Sequence, residues 1–420
     1  MRFSRALAAL VVVLSLLVGA PSARAQALTD EQKQRVLEGI ERTLRERAFV
    51  PGIDLAGDWQ KHTEKYKAEL ASASSTASFA QAVNRALREF GISHIRLMTP
   101  TQAENRRRGT RVGLGVVVEF KDNALVINEV VPRSPAERAG LKPGDAITSI
   151  DGQAPRSATD LRGDENRAVE LKVRGEAGAE RDVTVQREAY STVRPDTLEW
   201  PEPEIAVLKI RSFLTGYDRA NIEKLLAESR KARGLIIDLR SNGGGATLNL
   251  RHLMSELLPA GSVIGTFVSR RAVDAYVAAG LGDGKDPYPI ATWWERKFRT
   301  VAPRNAKELP RPALPVAGQR VAVLINRGSG SASEICAAAL REHLGAILVG
   351  TPSAGAVLQS TSARLERGFS LQYPADDYIT YRGRRLEANP LQPDVVVPVV
   401  RGEREDKALA RAIEELKKQF

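Results

Sequence analysis

Residues 321–345, VAVLINRGSGSASEICAAALREHLG, restrict most tightly what this chain can fold into. VAVLIN is an almost unbroken apolar run of strand length, and the stretch from Ala332 onward carries apolar residues at helical spacing. A buried strand therefore passes through a turn of small residues into a helix, and Ser331 stands at that turn. Gly328, Ser329, Gly330 and Ala332 around it allow another chain to approach closely. The helix N-terminus adds partial positive charge that favours a developing oxyanion. Ser331 and Glu334 are also spaced as a capping box, in which the hydroxyl only satisfies a free helix amide. The local pattern fits both readings.

The same alternation fills the second half of the chain. Strands are expected at Ile205–Ile210, Leu235–Leu239, Val321–Asn326 and Ala346–Val349, with helices at Asp218–Arg233, Leu248–Leu258 and Ala332–Leu344. Continuous apolar strands alternating with helices imply an α/β core built on a mostly parallel sheet with covering helices. A polar, tryptophan-containing segment near 270–314 interrupts the core and reads either as a lid or as a structural excursion. Residues 403–420 form a charged C-terminal helix.

Two earlier regions differ in character. From Leu28 to about Met98 the pattern is helical and amphipathic, with Thr29 as N-cap of the first helix and Gly91 closing the last, which suggests an N-terminal helical domain or arm over 26–107. Residues 108–190 turn to short alternating strands separated by turns, with one short helix at SPAERAG, as in a small β-rich domain. The stretch PRSPAERAGLKPGDAITSIDG resembles the PDZ family, and GLGV at 113–116 resembles its carboxylate-binding loop. That resemblance implies that amides around Gly113, Leu114 and Gly115 hold the C-terminal carboxylate of a peptide added as an extra strand. A domain kept only as a spacer or lid is the other reading.

At the end of the second core strand stands DLRSNGGG, residues 238–245. Three consecutive glycines free several amides to point at one anion, as an oxyanion hole or phosphate nest requires, although a tight turn needs no more. A P-loop is disfavoured, because Ala246-Thr247 stands where Lys-Ser or Lys-Thr should follow.

Taken together, DLRSNGGG, NRGSGSASEICAAALREHLGAILVG and EANPLQPDVVV resemble the C-terminal processing peptidase family, over roughly residues 90–400. The resemblance places Ser331 on the family's nucleophile. The lysine-dependent branch carries its general base 25 residues further on, where this chain has Ala356 in PSAGAVLQ, and alanine cannot take a proton. Either catalysis is lost or another base serves. The tricorn-core-like branch uses a Ser-His pair and a glutamate, and Ser93-His94 and Glu387 stand at the matching positions. The resemblance then implies a serine endopeptidase in which His94 is the base, Ser93 and Glu387 orient it, and amides of Gly244 or Gly245 and of Ala332 hold the oxyanion. His343 is the rival base, but it lies 12 residues along the helix, about 18 Å up the axis. Glu342 is expected to be structural, and His62 and His252 to serve surface or packing roles. The alternative from another class is a catalytically silent scaffold that binds exported polypeptides or a small apolar ligand.

Arg2 and Arg5, then an apolar stretch from Leu7 to Ala20, Pro21 and Ala23-Arg24-Ala25 form a secretory leader over 1–25, so an exported chain, periplasmic or extracellular, is expected. No later stretch reaches the length of a membrane span. The net charge is +11 over 420 residues, and 5% of residues are aromatic. Basic residues are spread throughout, which points away from a nucleic-acid site. The single cysteine, Cys336, excludes an intrachain disulfide and is expected to be a buried hydrophobe. No metal or cofactor is implied, because no cluster has ligand spacing. The expected partners are polypeptides with accessible C-termini; oligomeric state is left open.

Overall fold

The computed structural model describes residues 28–175, 178–294, 297–300, 318–398 and 406–420, so the predicted leader lies outside the described residues. Its centre is a six-stranded sheet in the order Val395–Val396, Ile347–Gly350, Arg320–Ile325, Gly234–Asp238, Ile205–Lys209, Thr197–Glu202. Neighbours run parallel except the last, which is antiparallel. Alternate residues of each strand enter different layers. Ala206, Leu208, Leu235, Ile237, Val323 and Ile325 pack with the helices Arg219–Ser229, Thr247–Leu257 and Ala332–Leu344. Ile205, Val207, Ile236, Ala322 and Leu324 pack instead with Ala412 and Leu416 of the terminal helix Lys407–Lys417. Burial on both faces explains the unbroken apolar runs.

A second sheet was not expected. Ser370–Thr380 pairs antiparallel with Arg96–Met98, Val263–Ser269 and Gln359–Arg364, and Val263–Ser269 pairs with Lys297–Arg299. Ser370–Thr380 is buried along most of its length yet contains Gln372, Asp376 and Asp377. Its sequence therefore lacks the apolar signature of a buried strand. Asp377 is tolerated because Arg385 Nε donates to it at 2.7 Å, which replaces the hydration that burial removes.

The N-terminal helices Asp30–Glu46, Leu55–Lys65, Lys67–Ser72 and Thr76–Arg88 form the expected helical region. Val36, Ile40, Phe79 and Leu87 share one core with Leu358, Phe369, Leu371 and Tyr373 of the second sheet. Strands Val116–Lys121, Ala124–Val130, Ala146–Ile150, Ala168–Arg174 and Glu180–Gln186 form a five-stranded antiparallel sheet in chain order with a core of its own. The short helix Pro135–Arg138, capped by Ser134, falls inside the predicted SPAERAG stretch. Within the 270–314 segment, helices Arg270–Ala278 and Pro287–Trp293 pack on Val268 and Ile379. The described part of that segment is thus built into the body.

Candidate active site

Ser331 precedes the helix Ala332–Leu344 with φ 55° and ψ −118°. For a residue with a Cβ this backbone is costly, and such strain persists only where neighbours impose it. Here the restraints are the Ser331 amide, which donates to the Ala356 carbonyl at 2.9 Å and to the Glu334 carboxylate at 3.1 Å. The Glu334 amide in turn goes to the Ser331 carbonyl oxygen at 2.9 Å. The first turn of the helix is therefore tied down by Glu334 and by backbone.

Glu334 does more than the capping pattern indicated. Its buried carboxylate also accepts the Ser353 hydroxyl and the amides of Gly355 and Ala356. The turn at Ala356 is thus clamped against the helix that follows Ser331. Burial pushes the Glu334 carboxyl up, against the pull of these hydrogen bonds.

The glycine turn closes the other side. Phe213 donates its amide to Gly244, and Ala246 donates to Phe213, so the turn is pinned on segment 210–217. At Gly244, with φ +89°, a Cβ would come within 2.8 Å of the Gly330 oxygen, Ser331 Cβ and the Ala332 nitrogen; only glycine allows that approach. Asn242 organises this corner, and the sequence offered only its place before a glycine run as a signal. Its side chain takes the Gly244 amide at 3.0 Å and donates to Ile210 at 2.9 Å. Its carbonyl accepts Gly330 N–H and the Ser333 hydroxyl. Of the predicted oxyanion amides, that of Gly244 is consequently engaged, whereas those of Gly245 and Ala332 have no partner among the described residues.

Ser93, His94 and Glu387 are assembled across almost the whole length of the chain. Glu387, 3% exposed, accepts the Ser93 amide at 2.7 Å and the Ser93 hydroxyl at 2.8 Å. Ser93 Oγ lies 2.6 Å from His94 Nδ1. A hydroxyl has one proton, and a carboxylate can only accept it, so Nδ1 must be the donor to Oγ. The tautomer that results leaves a lone pair on Nε2. Burial holds the His94 pKa below its ordinary value, Glu387 opposes that shift, and the charges of Arg106 and Arg96 add to it. The imidazole is therefore neutral at neutral pH, as a base must be.

Ala356 and Val357 join the two halves. The Ala356 carbonyl holds the Ser331 amide, and the next amide, Val357 N–H, donates to Glu387 Oε2 at 3.0 Å. The loop bearing Glu387 is seated on the same turn, since Ala388 donates to Gly355, and Ser353 and Leu391 bond to each other. Among the described residues no hydrogen bond links His94 directly to Ser331.

The other titratable candidates are occupied elsewhere. His343 bonds to the Val263 carbonyl at 2.9 Å and stacks on Tyr381. Glu342 accepts from Thr380 and Arg382. His252 lies between Tyr217 and Glu223, and His62 packs on Phe90. Cys336 is fully buried and its thiol is pushed far up by burial. In the β-rich domain the carbonyls of Leu114 and Gly115 are occupied by Ala136 and Val131, while their amides have no partner among the described residues.

A doubly covered, mostly parallel sheet carries a strained serine at a strand-to-helix turn, and the chain also has a five-stranded β domain. Residues 204–397 match the family model described as Peptidase family S41, and residues 126–175 match that of the PDZ domain. Over these two stretches the chain is similar to an S41 peptidase domain and to a PDZ domain. A probable CtpA-like serine protease of Staphylococcus aureus (strain bovine RF122 / ET3-1) is 24% identical over 75% of this chain, which spans only 59% of that relative's length. Mature CPAF complexed with lactacystin shares the fold with TM-score 0.58 and 14% identity, over 93% of this chain and 98% of that one. The photosystem II D1 C-terminal processing protease does so with TM-score 0.50 and 18% identity, over 91% and 97%.

Proposed function

We propose that this chain is an exported serine endopeptidase that cleaves unfolded or C-terminal segments of polypeptides, with Ser331 as nucleophile and His94 as general base. The observation that carries this reading is the Ser93–His94–Glu387 set, which fixes the tautomer with Nε2 free and docks on Val357, one residue from the carbonyl that holds Ser331. Ser331 Oγ attacks the scissile carbonyl while its proton passes to His94 Nε2. Glu387, acting through Ser93, stabilises the imidazolium, and the amides of Gly245 and Ala332 receive the oxyanion. His94 returns the proton to the leaving amine, and water then releases the acyl group by the same steps in reverse order. Catalytic hydrogen bonds are often long before substrate arrives, and the direct contact between His94 and Ser331 is assigned to that stage. With Ala356 where the Ser-Lys branch has its lysine, the chain follows the tricorn-core-like design. The free amides of Leu114 and Gly115 support capture of a substrate's terminal carboxylate by the PDZ domain.

Casein or a tailed model substrate should be cut by the mature chain, and both Ser331→Ala and His94→Ala should remove the activity. Because the two act as a unit, either single change should cost nearly as much as both together. An unaltered rate in His94→Ala beside a dead Ser331→Ala would refute the base assignment.

A further inference from the structure

Two guanidinium groups, Arg96 and Arg106, act on His94 through their charge, and Arg111 acts on Arg96; none of the three has an ion-pair partner among the described residues. Arg96 is two residues from His94, on the strand Arg96–Met98; Arg106 lies in the last turn of the helix Pro100–Arg108; Arg111 lies on Thr110–Gly113, leading into the carboxylate loop of the PDZ domain. Arg96 Nε and Arg106 Nη1 converge on one acceptor, the buried Gln372 Oε1, at 3.1 and 2.9 Å. Gln372 is held in turn by donating to Ser360 Oγ at 2.8 Å. Among the described residues no carboxylate lies within ion-pairing distance of Arg96, Arg106 or Arg111. Their neighbours differ: Arg107 and Arg108, on the same helix, both pair with Glu104.

Two guanidiniums on one neutral amide repel each other, and all three arginines remain exposed to an incoming ligand. Burial, and then the charges of Arg106 and Arg111, hold the Arg96 pKa below its usual value. An arrangement of this kind costs free energy that an incoming anion offsets, and the planar fork of arginine suits a carboxylate. Arg111 stands two residues before Gly113, and Arg96 two residues after His94.

We propose that Arg96 and Arg106, set by Gln372, together with Arg111, form a subsite for a carboxylate of the polypeptide substrate, either its C-terminus or an acidic side chain near the scissile bond. The proposal rests on the protease reading of Ser331 and His94. It makes the enzyme selective for acidic segments, through binding rather than through the chemical step.

The test compares casein-derived peptides of one sequence: glutamates with a free C-terminus, glutamines with a C-terminal amide, and the two hybrids that separate these sources. Wild-type chain should favour the acidic peptide about ten-fold in kcat/KM, through KM, as expected of a charge-assisted contact. Arg106→Gln should remove most of that preference, read as the ratio of kcat/KM between the acidic and the neutral peptide. Gln372→Glu, which places an internal carboxylate between the two guanidiniums, should do the same. No preference in wild type, or equal loss on both peptides, overturns the subsite. If wild type cuts neither peptide, fluorescence anisotropy of the labelled acidic peptide decides. Salt-sensitive binding lost in Arg106→Gln upholds the subsite while refuting the protease reading, and charge-independent binding overturns the subsite.

Discussion

At Glu387 the residue scale is where chemistry and stability part. Its carboxylate accepts three donors, Ser93 N–H, Ser93 O–H and Val357 N–H, and its charge is what raises the His94 pKa against the lowering by burial and by Arg106 and Arg96. Activity requires neutral His94, so kcat/KM should rise with pH through a midpoint below the ordinary histidine value of about 6.5. Glu387→Gln removes the raising charge, so the midpoint should move to still lower pH while the plateau falls about ten- to hundred-fold. A pH–rate profile of both proteins measures this, and a midpoint moving upward would contradict the assignment. Ser331 permits a second test. Its φ of 55° and ψ of −118° suit glycine, so Ser331→Gly should be more stable than Ser331→Ala by about 1 kcal/mol in urea unfolding, with both inactive. Equal stabilities would show that the backbone stores no strain there.

At the scale of elements, the linker returning from the PDZ domain to the core carries a buried charge. Asp196 Oδ1 accepts the Arg211 amide at 2.7 Å, while Oδ2 is buried without a partner. Burial pushes its carboxyl up to about 6, and Asp218 adds to this while Arg211 opposes it. The native state therefore binds a proton that the unfolded chain, with a value near 3.9, has already released, so stability declines as pH rises from about 4 to 6. Asp196→Asn keeps the Oδ1 acceptor and removes the charge. It should stabilise the protein by about 1–2 kcal/mol at pH 8 and not at all at pH 4, read as the difference in urea midpoint. A gain that persists at pH 4 would exclude ionisation as its cause. Segment 210–217, to which this linker is tied, is also the one that pins the glycine turn through Phe213.

At the scale of the whole molecule, the N-terminal helices and the peptidase body share a core, whereas the PDZ domain has its own. Phe79 meets Phe369 edge to face, with centroids 5.9 Å apart. Phe79→Ala should cost about 3–5 kcal/mol and lower the melting of the helices and body together, leaving the PDZ transition in place by calorimetry. Separate melting of the helices would show an independent domain after all. The parallel sheet, its covering helices, the PDZ strands and the strand–turn–helix at Ser331 were legible because local patterning determines them: apolar runs, helical period and turn residues act over a few positions. The buried strand Ser370–Thr380 was not legible, since it carries the polar Gln372 and Asp377, the first accommodated by the distant Arg96 and Arg106 and the second by Arg385. Nor was the engagement of the Gly244 amide by Asn242, or the clamp that Glu334 places on the Ala356 turn. Ser331, Ser93, His94 and Glu387 enter the proposed site through the resemblance that their short motifs carry. Their meeting through Ala356 and Val357, and the convergence of Arg96 and Arg106 on Gln372, depend on contacts between residues hundreds of positions apart. Only the tertiary structure decides such contacts, because hydrogen bonds across that separation form once the sheets and helices have packed, and no local pattern encodes them.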